Sequence, residues 1–184
     1  MTEETLDYNH ANALVDEIIS TVKGYMQTEQ DIEKIIRETY VFAREAHHGQ
    51  LRKSGEPYIT HPLEAVKLLL TLKPDLVSIQ ACILHDVIED TERTKADIEK
   101  LFGHDVAIIC EGLSKLSAIK YRGEERTIES LRKMFIAMVD DLRVIIVKLA
   151  DRLHNMQTLE HHPEKTKRDR IALETLNIYA PIAD

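Results

Sequence analysis

The chain is predicted to be an all-α domain of about nine helices built around a metal centre. Three observations predict the helices. Strand signals are nearly absent, apolar residues recur at helical spacing through almost the whole sequence, and the breaks fall at proline, glycine and capping residues. Helices are expected near 5–22, 29–47, 62–72, 75–90, 95–102, 104–119, 127–140, 142–159 and 164–180. Pro62 suits the first turn of the third, Pro74 opens the fourth, and Pro163 stands at the first turn of the last. Thr94 with Asp97 caps the helix at 95–102, and Gly103 ends it before His104 begins the next. Met134, Met138 and Met156 fall at helical spacing among apolar neighbours and are read as core fillers.

At 184 residues one main domain is expected, read as a helical leader over 1–30 and the domain proper over 31–184. Cys82 and Cys110 lie in apolar helical stretches and are read as reduced core residues. No run approaches the roughly 18 apolar residues of a membrane span, and Met1-Thr2-Glu3-Glu4 lacks the basic and apolar regions of a signal peptide, so a cytoplasmic protein is expected. The formal net charge of −8 argues against a general nucleic-acid surface, because binding a phosphate backbone needs a positive field over many contacts. Any phosphate must be met locally, by Arg52-Lys53 between Gly49 and Gly55, or by Lys148 and Arg152.

The densest chemistry lies on the fourth helix. In an α-helix His85, Asp86, Glu89 and Asp90 fall within an arc of roughly 140°. Ile79, Ala81, Ile83, Leu84, Val87 and Ile88 make most of the remaining surface apolar. A helix that is apolar over most of its circumference is buried, so the charged arc faces an internal cleft. Three carboxylates gathered there repel one another, and a divalent cation is the simplest counter-charge. His61, His85, Asp86 and Asp151 form a mixed nitrogen and oxygen set without thiolate, which suits Mn, Fe or Zn better than Ca, and spacing alone does not rank these ions. Four protein ligands leave positions for water and a substrate oxygen, which is phosphohydrolase chemistry. Glu89, one turn after His85, is read as the proton-transfer group and Asp90 as an orienting group.

Asp151 sits on a helix rich in apolar residues, with Lys148, Arg152 and Asn155 within one turn, and this stripe is read as a substrate-facing edge that includes Lys148. Taken alone, Asp151 paired with Lys148 or Asn155 would be an ordinary surface contact. Two loops stand out. His48–Thr60 carries Arg52, Lys53, Ser54 and Tyr58 and leads into His61, whereas Lys120–Arg126 is charged and is read as a lid or a connector. His47 and His48 are assigned structural hydrogen bonds. His10, His104, His161 and His162 receive no metal role.

The segments AHHGQLRKSGEPYITHP at 46–62, LHDVIEDT at 84–91 and VKLADRLHNM at 147–156 resemble the hydrolase domain of the RelA/SpoT alarmone enzymes. The resemblance covers nearly all of the chain from about Ile32 onward. It implies an HD-superfamily fold and Mn2+-dependent removal of the 3′-pyrophosphate from (p)ppGpp, with one ion per chain, giving GDP or GTP. Carried over by motif, His61, His85, Asp86 and Asp151 hold the ion, and Glu89 and Asp90 supply the acidic pair. Arg52, Lys53, Ser54, Tyr58, Asn155 and Thr158 contact the nucleotide, with Arg52 suited to stacking on guanine. Bifunctional members of the family continue into synthetase and regulatory domains, so the chain is expected to be a stand-alone small alarmone hydrolase or, the favoured reading, the hydrolase portion of a longer parent with covalently attached domains. Competing readings are another HD-type nucleotide phosphohydrolase and a non-catalytic alarmone-binding module.

Overall fold

A computed structural model describes residues 6–117, 132, 136 and 140–184. Among the described residues the regular structure is helical, apart from one isolated antiparallel bridge between Leu51 and Pro57. In chain order the helices are α1 (Asn9–Tyr25), α2 (Ile32–Ala46), α3 (Thr60–Leu70), α4 (Leu76–Leu84), α5 (Val87–Asp90), α6 (Lys95–Phe102), α7 (His104–Ser117), α8 (Leu142–Gln157), α9 (Lys165–Glu174) and α10 (Ala180–Ala183). A 3-10 turn (Leu159–His161) follows α8, and a π turn (Thr175–Tyr179) joins α9 to α10. The expected loop Lys120–Arg126 lies outside the described residues. So does the expected helix at 127–140, except for Arg132, Ile136 and Asp140, which are helical.

Local chemistry sets the ends of these elements. Asp31 and Asp75 cap α2 and α4 by accepting from the backbone N–H groups of Lys34 and Ser78. Thr94 and Asp97 close a reciprocal capping box at α6, and Gly103, at φ +91°, turns the chain out of it. Asp141 caps α8, and Arg143 bonds both Asp141 and Asp75, tying the start of α8 to the start of α4.

The core forms where α3 packs on α1, α4 and α8, while α7 covers α4 and α8. From α1 it takes Leu14, Val15, Ile18 and Val22, from α3 Leu63, Val66 and Leu69, and from α4 Ile79, Ile83 and Leu84. Each such aliphatic side chain contributes about 1.5–3 kcal/mol when fully buried. Gly112 of α7 lets α8 approach closely, since a Cβ there would lie 3.0 Å from Val144 Cγ2. Cys82 and Cys110 are buried free thiols within this core.

One expected element needs correction. The helix expected over 75–90 is interrupted between Leu84 and Val87. The His85 imidazole donates from Nδ1 to the Cys82 carbonyl at 2.7 Å, so a side chain takes an acceptor that a continuing helix would use for Asp86 N–H. Asp86, at φ −95° and ψ −6°, then starts the short α5 without capping it, which leaves its carboxylate for the cleft.

Candidate metal centre

Three helices deliver the candidate ligands. His61 stands in the first turn of α3, His85 and Asp86 at the interruption after α4, and Asp151 in the second half of α8. All four are buried. One donor atom each from His61, His85 and Asp86 lies within 4.8 Å of the others. Asp151 joins them, with Oδ1 3.1 Å from His61 Nε2 and 3.6 Å from His85 Nε2. The structure therefore gathers the four side chains, which are distant in sequence, around one small volume.

Two observations test whether a cation fits that volume. His85 Nδ1 faces a carbonyl, which only accepts, so in the neutral ring the proton sits on Nδ1 and Nε2 carries the lone pair. That buried Nε2 has no hydrogen-bond partner, although Asp86 Oδ2 lies 3.0 Å away. An orphaned lone pair between two carboxylates is what a divalent ion satisfies. The donor set fits such an ion.

The charges in the ion-free protein point the same way. Burial would raise the Asp86 carboxyl, yet His85 beside it holds it well below the usual carboxylate range. Asp151 is likewise buried, and the Lys148 ammonium together with both imidazoles keeps it ionised. Burial disfavours the His85 imidazolium, but Asp86 and Asp151 stabilise it well above an ordinary histidine. His61 moves down because burial dominates there. Two carboxylates thus face the Lys148 ammonium and an imidazole whose charged form they favour, and a dication would supply the positive charge they call for.

The neighbours are fully engaged. Lys148 Nζ donates to Asp151 Oδ2 at 2.9 Å and Asn155 Nδ2 to Asp151 Oδ1 at 2.5 Å. The ordinary pairing considered for an isolated Asp151 is therefore present, on a carboxylate that also faces both histidines. The Tyr58 hydroxyl donates to Asp86 Oδ2 at 2.6 Å and approaches Asp90 Oδ2 at 3.3 Å, and burial followed by Asp86 raises its pKa far above the usual phenol value. Glu89 and Asp90 are exposed, and Glu89 lines the cleft at the ligand cluster together with Tyr58, Lys148, Arg152 and Asn155.

That cleft, of about 240 Å3, runs into a second of the same size, since Tyr58, Asn155 and Ile171 line both. The second is lined by Arg52, Lys53, Ser54, Thr158 and Lys167, among others. Arg52 lies 5.8 Å from the Tyr58 ring centroid and donates from Nη2 to Thr158 Oγ1 at 3.2 Å. Lys53 and Ser54 are exposed. Arg152 turns aside, paired with Glu174 at 3.3 Å and lying 4.1 Å from the Tyr179 ring centroid.

Sequence reasoning missed His154. Its Nδ1 lies 2.6 Å from His61 Nδ1, and its place three residues after Asp151 on one helix face was the available signal. Burial, then His61 and Arg52, push its pKa down to about 4. His47 makes the structural contact expected of it, to Gln50 at 2.9 Å, while Gln50 in turn donates to the Asp90 carbonyl. His104 bonds Glu99 on the surface.

Comparison with known proteins agrees with this architecture. A model of the HD domain matches residues 39–184. The bifunctional (p)ppGpp synthase/hydrolase SpoT of Escherichia coli (strain K12) is 49% identical over 172 residues, which cover 92% of this chain and 24% of that protein. A GTP pyrophosphokinase of Myxococcus xanthus is 52% identical over 154 residues, covering 82% of this chain and 20% of its own length. The chain thus spans about a quarter or less of the curated relatives it matches. A solved metazoan ortholog of SpoT, described as hydrolysing ppGpp, superposes with a TM-score of 0.66 at 25% identity, covering 83% of this chain and 86% of that one. The chain belongs to the HD-domain family, in its RelA/SpoT branch.

Proposed function

We propose that this chain is a metal-dependent (p)ppGpp 3′-pyrophosphohydrolase, with Mn2+ as the ion. The observation that carries the reading is the convergence of His61, His85, Asp86 and Asp151 on one volume at the head of a cleft that continues past Arg52, Lys53 and Ser54. Relatives at 49% identity are named guanosine-3′,5′-bis(diphosphate) 3′-pyrophosphohydrolase, which supports the same reaction. In this reading the four ligands hold the ion, which when bound supplies a water of lowered pKa and polarises a phosphoryl oxygen.

The remaining roles belong to the chain. Glu89, on the rim of the ligand cleft, accepts the proton of the attacking water, whose oxygen bonds to the phosphorus carried by the 3′ oxygen. The bond between that phosphorus and the 3′ oxygen breaks, the 3′ oxygen gains a proton, and pyrophosphate and GDP or GTP leave. Asp90 orients Tyr58, whose hydroxyl holds Asp86 in place. Lys148 offsets the charge of Asp151 beside the phosphates. Arg52 covers the guanine face, Lys53 and Ser54 meet phosphate or ribose oxygens, and Asn155 and Thr158 line the wall between the two halves.

α1, within the expected leader over 1–30, packs into the same core as the domain at 31–184, and we read the protein as cytoplasmic, with a parent that carries synthetase and regulatory domains. Among the described residues, no helix is long and apolar enough to cross a membrane. The test is direct: the protein incubated with Mn2+ and ppGpp releases pyrophosphate at a rate proportional to enzyme. A folded, ion-loaded protein that releases none would refute the reading, and a substrate panel that favoured another nucleotide would redirect it.

A further inference from the structure

The contact between two imidazoles under the ligand cluster, His61 Nδ1 to His154 Nδ1 at 2.6 Å, has a chemical requirement. Both rings are buried, and a hydrogen bond between two nitrogens needs one donor and one acceptor. If His61 offers the Nε2 lone pair to an ion, its ring proton must sit on Nδ1, and that proton points at His154. The histidine then has to present a bare Nδ1, with its own proton on Nε2.

We propose that His154 is the positioning residue of the metal centre: by accepting from His61 Nδ1 it fixes the tautomer and ring orientation that aim His61 Nε2 at the ion. The inference rests on the metal-dependent reading of this cluster. The two histidine ligands thus use different devices for one end, since His85 Nδ1 bonds a backbone carbonyl and His61 Nδ1 a second imidazole. An imidazole acceptor can be disturbed where a carbonyl cannot. The His154 backbone carbonyl also accepts from Thr158 Oγ1 at 3.0 Å, and Thr158 Oγ1 accepts from Arg52. One residue therefore joins a ligand of the cluster to the arginine of the neighbouring cleft.

The test reads metal affinity, independently of turnover. Co2+ is titrated into the chelator-treated protein and followed by its visible absorption. His154→Phe keeps a ring without an acceptor, and His154→Asn offers Oδ1 near the position of Nδ1. The expected result is Co2+ binding weakened about 10–100-fold by His154→Phe and by no more than about threefold by His154→Asn, the size typical of lost support behind a ligand. Equal affinity of His154→Phe and wild type overturns the proposal, as does equal weakening by Phe and Asn, which would mean that an acceptor at that position does not restore the support. A folded wild type that binds no Co2+ sinks the metal centre itself, a separate failure. If His154→Phe does not fold, nitrogen NMR of the Zn2+-loaded wild type decides. A proton on His154 Nε2 with a bare Nδ1 supports the proposal, and the reverse overturns it.

Discussion

The two halves of the cleft are built on opposite principles. At the ligand cluster, His61, His85, Asp86, Lys148, Asp151 and His154 each keep no more than 9% of their surface, and helices hold every one of them or its neighbour. Across the shared wall, Leu51 is 52% exposed and Lys53, Ser54 and Gly55 face solvent on a tight loop. That loop is closed on itself by Arg52 N–H to the Glu56 carbonyl at 2.8 Å and Tyr58 N–H to the Gln50 carbonyl at 3.0 Å. The candidate ligands sit on buried regular structure, where charges interact most strongly, and the residues proposed to meet the nucleotide sit on an exposed loop where water competes. Substitutions should therefore cost much at one end and little at the other.

The largest effect is expected at Asp151. Asp151→Asn removes the charge shared by Lys148 and both histidines, and should abolish stoichiometric metal binding in calorimetry. Pyrophosphate release should fall about 10³-fold or more, because the ion supplies several kcal/mol and each 1.4 kcal/mol is tenfold. Retained affinity for the ion would break the contrast at its strongest point. Glu89→Gln is next, with kcat down about 10²–10⁴-fold and nucleotide affinity nearly unchanged. Unchanged turnover would remove Glu89 from the proton-transfer role, and a chain that bound nucleotide but never hydrolysed it would favour a regulatory module.

A third prediction concerns pH and sharpens the meaning of burial. His154 is pushed down to about 4, whereas an unfolded histidine titrates near 6.5. The unfolded chain therefore binds the proton first, so this group costs stability as pH falls from about 6.5 to about 4 and costs nothing above that range. The loss is at most roughly 3.5 kcal/mol at 1.4 kcal/mol per pH unit. His61 and His47 move the same way and His85 the opposite way, so wild type must be compared with His154→Asn. In chelator-treated protein the variant should lose less stability between pH 7 and pH 5 by thermal unfolding. Identical slopes would contradict the assignment.

The same contrast separates what the sequence could tell from what it could not. Helical spacing located α6 at its observed bounds, α2, α3 and α8 within three residues at each end, and the start of α7 at His104, because caps and prolines are local signals. That His61, His85, Asp86 and Asp151 are buried close together was also legible, since a charged or imidazole side chain on an otherwise apolar helix must be matched by a buried partner. The interruption after Leu84 was not, for it depends on His85 capturing the Cys82 carbonyl. Nor was the Tyr58 hydroxyl on Asp86 or the His154 ring behind His61, both of which exist only because α8 and the loop cross α3 and α4. Periodicity reports which face a residue takes, and the partner on that face comes from the packing of helices far apart in sequence.

The loop carries the smallest effects. Arg52→Ala should raise KM about tenfold with kcat within about threefold, the value of one stacked guanidinium over a ring. Lys53→Ala should do less still. Its ammonium is exposed, so an ion pair with a phosphate there is worth only about 0.2–1 kcal/mol, a rise in KM of about 1.4- to fivefold. Salt decides between a solvated charge and a built contact. Raising ionic strength from about 0.05 to about 0.5 M shortens the screening length to under about 5 Å, so the difference between wild type and Lys53→Ala should shrink to nothing, while that of Asp151→Asn should stay. A Lys53 effect that survived high salt would mean that the loop folds over its ligand and excludes water, erasing the distinction between the two halves.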